Sequence, residues 1–248
     1  MMLPRCGACK PHSARSRLDE VKFVVDRAAV ASRATHADPM QPAGIDIPAL
    51  VLTASIWVYW LTVAAMVVRS RRKRRHLAGL VPEQSLERRM WWILVPVVVL
   101  WIALPWLALT RTQPWFAVPP FTHELPAYAA LRWVAAVGAV MCLALTARCW
   151  RRMGGDWRMA VSERDTGPLI TDGPFARVRH PIYGLSILLM VCSLLIVATL
   201  PMLVAAVAHW GLMVLKAHNE ERHMLKVHGA AYEAYRRRTG RFFPRLVG

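Results

Sequence analysis

Two polar stretches flank the longest uncharged run of the chain, and they hold residue types that bind charged ligands. The first, "GPLITDGPFARVRHPIYG" (167–184), crowds cationic and aromatic groups around His180. The second, "KAHNEERHMLKVHGAAYEAYRRR" (216–238), contains the adjacent carboxylates Glu220 and Glu221. A site built from both stretches would hold both signs of charge, which suits a zwitterionic or multiply charged ligand.

The same residues also have a simpler interpretation. Arg177, Arg179 and Lys216 could anchor the chain at a membrane interface, where the nearby tyrosines would be ordinary belt aromatics. Glu220 could pair with Lys216 or Lys226 on the surface of a helix. Residue types alone leave both interpretations open.

The run between the stretches, Gly184–Leu215, has 32 residues without a formal charge. As one helix it would be about 48 Å long, which exceeds the ~30 Å hydrocarbon core of a bilayer. Pro201 lies at its middle and biases the preceding residue out of helix. We therefore predict two short helices, about 185–199 and 202–216, in a hairpin (184–216) that brings both polar stretches to the same side. A single kinked helix is the alternative.

Three further uncharged runs precede the hairpin, namely Ile47–Val68, Trp91–Leu109 and Trp133–Ala147. The third is bounded by Arg132 and Arg148, whose long side chains can extend to the two interfaces. Residues 46–150 are thus predicted to form three transmembrane helices. The predicted fold class is all-α: a polytopic membrane bundle of about five transmembrane helices, with additional interfacial helices on the cytoplasmic side.

Lysine and arginine are distributed unevenly among the predicted loops. Residues 69–90 hold eight, 110–125 hold one, 151–183 hold six and 216–248 hold eight. Because such residues collect on the cytoplasmic side, we expect a cytoplasmic C-terminus, in the inner (plasma) membrane of a bacterium. The net charge of +17 then reflects topology, and no nucleic-acid partner is predicted.

The first 45 residues fit this scheme less well, since they carry seven Lys or Arg and no apolar stretch typical of a signal peptide. We interpret 1–45 as a disordered extension or as the result of a start codon placed upstream of Met40. Cys6 and Cys9 have a metal-like spacing but no second pair, so no metal site is predicted. Phosphate-binding, zinc-protease and dinucleotide-binding motifs are missing from the sequence.

The order of the motifs resembles that of a known family. "LITDGPFARVRHPIYG", an apolar hairpin, "NEERHMLKVHGAAYEAYRRR" and "RFFPR" follow one another over about 157–245. This pattern, with R-H-P-x-Y, E-E and G-x-x-Y-x-x-Y, looks like the isoprenylcysteine carboxyl methyltransferases and the related phospholipid methyltransferase-like membrane enzymes. The earlier spans match only as hydrophobic segments.

The resemblance implies that 151–248 forms a pocket for S-adenosylmethionine. Glu220 matches the first carboxylate of the family's pair, and His180 and Tyr183 belong to the R-H-P-x-Y contacts. Lys216 stands where the family often has an arginine for the substrate end. The expected cofactor contacts are Leu169, Ile170, Phe175, Arg179, His180, Pro181, Ile182, Tyr183 and Glu220, with Lys216 binding substrate.

The implied reaction is an in-line methyl transfer to a lipid or other apolar acceptor at the cytoplasmic interface. An acceptor carboxylate needs no general base, whereas an amine or thiol would need one, for which His180, Tyr183 and Glu220 are candidates. Lysine at 216 lacks the bidentate fork of arginine, which weakens the case for a prenylcysteine carboxylate. The alternatives are a non-enzymatic protein that keeps the fold, and a sterol-reductase-like oxidoreductase using a nicotinamide cofactor.

The predicted topology can be tested directly. A reporter protein fused after Gly248 should be active in the cytoplasm, because the basic loops all fall on one side when five helices cross the membrane. Reporter activity on the opposite side would contradict the count of helices, and the Gly184–Leu215 hairpin would be the first segment to revise.

Overall fold

The regular structure of the chain is helical, as predicted. The computed structural model describes residues 45–73, 85–110, 116–154, 157 and 168–245. The extension predicted for 1–45 lies outside these ranges, apart from Ile45. The helices are α1 (Ile47–Lys73), α2 (Ser85–Thr110), the short α3 (Phe121–Glu124), α4 (Pro126–Met153), α5 (Pro181–Ile196) and α6 (Leu200–Arg238), with a 3-10 turn at Gly173–Ala176.

Four of these helices, α1, α2, α4 and α6, are long and apolar enough to cross a membrane. The fifth apolar helix, α5, has 16 residues and is therefore about 24 Å long. It packs mainly against α4, while α6 packs against α2 and α5. The prediction of a polytopic membrane bundle is confirmed, with α5 as its shortest member.

The predicted hairpin is present, but its turn and its end differ from the prediction. The chain leaves helix at Val197–Thr199 and not at Pro201 itself. Pro201 lies in the first turn of α6, where a missing backbone N–H costs no hydrogen bond, and the Thr199 hydroxyl accepts a bond from the Met202 N–H at 3.4 Å. The proline thus begins the second helix and does not form the turn.

Helix α6 continues far past Lys216, where the second helix of the hairpin was predicted to end. The residues that follow are mostly good helix formers, so the polar stretch extends the same helix. The first interruption is Gly229, with φ 49° and ψ −122°, a conformation that only glycine adopts without strain. Beyond it, the last turns carry Tyr232 and Tyr235, both buried.

Two pairs of polar side chains in the apolar part of the bundle join different helices. The Trp101 indole, fully buried on α2, donates to the Ser193 hydroxyl of α5 at 2.9 Å. The Ser186 hydroxyl of α5 lies 3.1 Å from Nε2 of His209 on α6. The first bond holds the hairpin against α2 and the second joins its two helices, in a region where water cannot satisfy the same groups.

Arg132, which bounds the third apolar run, is buried within the protein. Its side chain is 3% exposed, and its guanidinium bonds Asp46 Oδ2 at 2.5 Å and His123 Nδ1 at 2.9 Å. Asp46 also accepts a bond from the Ala49 N–H in the first turn of α1. A buried cation needs a nearby carboxylate, so Arg132 ties α4 to the start of α1.

The segment after α6 turns back and pairs with the approach to α5. The N–H groups of Arg179 and His180 donate to the carbonyls of Gly240 and Arg241, each at 2.9 Å, beside a parallel bridge between 178 and 240. Gly184, one turn into α5, lies directly under this segment. A Cβ added to Gly184 would stand 2.4 Å from the carbonyl oxygen of Phe242.

This contact predicts that Gly184→Ala will destabilise the protein. The backbone of the returning segment would have to move, and overpacking of this kind costs roughly 1–3 kcal/mol. Gly211→Ala is the matched control, because a Cβ there has nothing within 4 Å. Thermal unfolding in detergent should show a lower midpoint for the first variant alone, and equal midpoints would show that the segment does not press on Gly184.

Candidate active site

The two polar stretches meet at the foot of the hairpin, where α5 begins and the apolar part of α6 ends. His180 precedes α5, and Tyr183 is in its first turn. The Tyr183 hydroxyl donates to Glu220 Oε1, and Glu220 Oε2 lies 3.4 Å from His180 Nδ1. The rings of His180 and Tyr183 stack with centroids 5.4 Å apart. We call these three side chains the polar cluster.

The second carboxylate, Glu221, is the centre of a separate network. Its side chain is 4% exposed and accepts from Arg179 Nε at 2.9 Å and from Arg241 at 3.1 and 2.7 Å. His180 Nε2 lies 3.5 Å away, at ion-pair distance. Four residues from three parts of the chain, Glu221, Arg179, Arg241 and His180, therefore form what we call the Glu221 network.

Arg179 has a second set of partners at the C-terminus of α6. Its Nη1 group donates to the carbonyl of Arg236 at 3.0 Å and to the carbonyl of Thr239. The last carbonyls of a helix lack partners within it, and a cation there also interacts favourably with the helix dipole. The guanidinium, 8% exposed, is thus directed into the protein, and the contact predicted between Arg179 and a cofactor stays a prediction.

Lys216 lies beside the polar cluster, as its position one turn before Glu220 predicts. Its Nζ stands 5.8 Å from the centre of the Tyr183 ring. It also lines a narrow apolar cleft between α2 and α6, formed with Met90, Leu212 and Met213. The cation is therefore at the point where the cleft reaches the charged end of the bundle.

The remaining predicted residues surround the polar cluster without joining it. Ile182 packs against the main apolar core, and Pro181, buried, lines a groove on another face of α5. Phe175 is buried in the 3-10 turn, and its carbonyl accepts a bond of 2.6 Å from the Tyr235 hydroxyl. Leu169 and Ile170 are half-buried ahead of that turn. Their contact with a cofactor stays a prediction.

Two residues with clear roles carried no prediction. Arg241 completes the Glu221 network, and Thr239, fully buried, accepts from Arg179 and donates from its hydroxyl to the Tyr235 carbonyl at 2.6 Å. The signal for Arg241 was its place in "RFFPR", a motif that follows α6 closely. Neither glutamate is the exposed helix-surface residue of the simpler interpretation, since Glu220 is 21% exposed and Glu221 is 4% exposed.

The electrostatics of the site favour a charged histidine. Burial alone would lower the pKa of His180, but hydrogen bonding to Glu220 and Glu221 and their negative charge outweigh it and raise that pKa above its usual value of 6.5. The imidazolium then lies between two carboxylates, while Arg179 and Arg241 balance the inner one.

A sequence comparison shows which family this region resembles. Residues 134–226, from α4 to the polar part of α6, match the family described as isoprenylcysteine carboxyl methyltransferase. The match covers 93 of the 248 residues, so this region is similar to the isoprenylcysteine carboxyl methyltransferase family. The match to this methyltransferase family includes the whole polar cluster and Glu221, while Arg241 lies beyond it. No curated protein matches the chain.

The raised pKa of His180 predicts a pH dependence of stability. The folded protein binds this proton more tightly than the unfolded chain, so its contribution is fully present below about pH 6.5 and is lost as pH rises through the folded pKa. Each pKa unit by which His180 in the folded protein exceeds His180 in the unfolded chain contributes about 1.4 kcal/mol to the free energy of unfolding. Unfolding midpoints from pH 6 to 9 should fall more steeply for the native protein than for His180→Asn, and parallel curves would contradict the assignment.

The Glu221 network predicts that Glu221→Gln is a folding defect. Losing one member of a buried ion pair costs about 3–5 kcal/mol, reduced here because Arg241 is partly exposed to solvent. The measurement is the unfolding midpoint in detergent, with Glu233→Gln as control, since Glu233 pairs only with the exposed Arg236 and Arg237 among the described residues. Equal midpoints would show that Glu221 is dispensable for the fold.

Proposed function

We propose that this membrane protein transfers a methyl group from S-adenosylmethionine to an apolar acceptor at the charged end of the bundle. The observation that carries the proposal is the polar cluster, in which His180, Tyr183 and Glu220 come together within the region that matches the methyltransferase family. A bundle of apolar helices around this cluster also suits an acceptor that arrives from the bilayer.

The donors and acceptors of the polar cluster fit the cofactor. Glu220 is 21% exposed, and its Oε2 is 3.4 Å from His180, too far for a strong hydrogen bond. This oxygen can therefore accept from an amine or a ribose hydroxyl. His180 Nε2 is buried and has the 3.5 Å ion-pair contact with Glu221 but no hydrogen bond among the described residues, so it can still donate to a ligand.

The two adjacent glutamates have different tasks in this proposal. Glu221 is saturated by two guanidiniums and fixes the backbone of α6 relative to α5. Glu220 points about 100° away around the helix, and its Oε2, which has only the 3.4 Å contact with His180, can also accept from a ligand. When bound, S-adenosylmethionine supplies a methyl group on a cationic sulfur, and a nearby carboxylate favours that positive charge.

The protein then has to position the acceptor against the methyl group and to exclude water. An already activated methyl group needs the acceptor on one axis with it, and holding both in that geometry lowers the barrier substantially. The stacked His180 and Tyr183 rings form a rigid wall, and Tyr183 is itself held by Glu220. The roles of these side chains are positional, and the acceptor alone decides whether a base is needed.

The apolar cleft between α2 and α6 provides a route for the acceptor. It is lined by Met90, Leu94, Leu212 and Met213 and ends at Lys216. A flexible methionine lining accepts chains of different shapes. We infer that the acceptor approaches along this cleft, whose free volume of about 10 Å³ requires the lining side chains to move aside, with its polar end near the Lys216 ammonium.

Cofactor binding can be tested with Glu220→Gln, which keeps the shape of the side chain and removes its charge. Hydrogen bonds to a charged group contribute about 1.5–3 kcal/mol, so the affinity for S-adenosylhomocysteine should fall at least about tenfold. The measurement is titration calorimetry in detergent. Glu233→Gln is the control and should bind normally, since Glu233 lies further along α6 and pairs with Arg236. Unchanged affinity in Glu220→Gln would contradict the proposed site.

Methyl transfer itself can be tested with radiolabel. S-adenosylmethionine carrying a tritiated methyl group is incubated with membranes that contain the protein, and the lipids are then extracted. Label should enter the lipid extract with the native protein and fall to background with Glu220→Gln. Normal cofactor binding together with an unlabelled extract would argue against an apolar acceptor.

A further inference from the structure

A groove of about 520 Å³ lies on the side of α5 away from the polar cluster. Its floor and walls come from the end of α4, the start of α5 and the segment that returns after α6. The lining is almost wholly apolar, with one cation, Arg148, at its edge. The residues that decide its character are Leu145, Arg148, Leu185, Leu188, Phe242 and Phe243.

The groove is distinct from the candidate active site because α5 separates them. Pro181, Gly184 and Leu188 line the groove, and their spacing of three and four residues puts them on one face of the helix. Tyr183 belongs to the polar cluster and lies on another face, since each residue turns the helix by about 100°, and His180, just before the helix, stacks on the Tyr183 ring. A molecule in the groove would therefore not occupy the site of methyl transfer.

The groove opens onto the surface that faces the bilayer. Leu145 on α4 and Leu188 on α5 are 38% and 40% exposed, and both line the groove. Further along the same helices, Met141 and Val191 are also exposed, so the apolar surface continues from the groove toward the middle of the spans. An apolar chain can enter the groove sideways without leaving the hydrocarbon.

The polar edge of the groove carries the positive charge of Arg148. Arg148 is exposed, and within the part of the chain that the structure describes it forms no ion pair with a carboxylate. It lies near the end of α4 that also bears Arg151 and Arg152, where Arg152 is already bound to Asp172. The apolar walls and the guanidinium of Arg148, the one cation among the described lining residues, together favour a ligand with an apolar chain and an anionic head.

We propose that this groove binds an anionic phospholipid of the surrounding bilayer, with an acyl chain between α4 and α5 and its phosphate at Arg148. Arginine suits a phosphate because its planar fork forms two parallel hydrogen bonds. A methyl acceptor is not the proposed occupant, because the groove faces away from the polar cluster.

Occupancy would also stabilise the active-site end of the protein. Phe242 lines the groove, and its ring centroid is 6.4 Å from that of His180. The preceding residue, Arg241, holds Glu221. A lipid that fills the groove therefore presses the returning segment against the residues that shape the polar cluster.

The test compares two phospholipids with identical chains on the full-length protein. Native mass spectrometry in detergent is run with dioleoyl phosphatidylglycerol and dioleoyl phosphatidylcholine. One cation near an anionic head contributes about 1 kcal/mol, so the native protein should retain the phosphatidylglycerol about fivefold better than the phosphatidylcholine. Arg148→Gln should remove this preference, while Arg222→Gln, an exposed cation on α6, should keep it.

The apolar part of the groove is tested separately with Leu188→Trp and Leu145→Trp, which fill it from two sides. Each variant should lose the bound phosphatidylglycerol. The control is Val137→Trp, at an exposed position of α4 that does not line the groove, and it should bind this lipid as the native protein does. Thermal unfolding should agree with the binding data: added phosphatidylglycerol should raise the unfolding midpoint of the native protein and of Val137→Trp but not that of the filled variants. Equal retention of both lipids by the native protein, or unchanged binding in the filled variants, would overturn the proposal.

Discussion

The arrangement of this end of the bundle depends on the burial of one carboxylate. Glu221 is almost inaccessible to solvent, and a charge in such a place is tolerated only when it is closely paired and hydrogen-bonded. Its partners Arg179 and Arg241 lie 42 residues before it and 20 residues after it. They reach it together only when α5 and α6 are paired and the chain after α6 has turned back.

This constraint gives the neighbouring groups their positions. Arg179 also satisfies carbonyls at the end of α6, so one side chain fixes the approach to α5, the middle of α6 and its terminus. The backbone bonds of residues 179 and 180 to the returning segment add a short extended pairing beside it. His180 is thereby held between two carboxylates, and Glu220 Oε2 is left with only a 3.4 Å ion-pair contact to His180.

Much of the architecture could be predicted from the sequence because it depends on local rules. The length of the uncharged run and the presence of Pro201 predicted a hairpin, and the hairpin brought the two polar stretches together. The exact turn could not be predicted in this way, since proline is tolerated in a first helical turn as readily as it breaks a helix. The extension of α6 was missed because the change from apolar to polar residues was taken as the end of the helix.

The partners of individual charges were harder to predict. The chain has 32 Lys or Arg and 15 Asp or Glu, and no periodicity says that Arg241 belongs to Glu221. Arg132 looked like an interfacial residue because it bounds an apolar run, yet a carboxylate from the start of α1 allows it to be buried. Likewise, R-H-P-x-Y reads as one motif, but its residues face the polar cluster, the core and the groove in turn, because a helix distributes neighbours around its axis.

Because α6 is continuous from Leu200 to Gly229, it also fixes how far Glu220 lies from the apolar run along the helix axis. Leu215 is the last residue of the apolar run, and Glu220 follows five residues later, which places its backbone about 7.5 Å further along the axis. Depth in the membrane and direction around the helix are therefore coupled for this carboxylate. Adding or removing one residue between Leu215 and Glu220 would shift it by about 1.5 Å and also rotate it by about 100°, away from Tyr183.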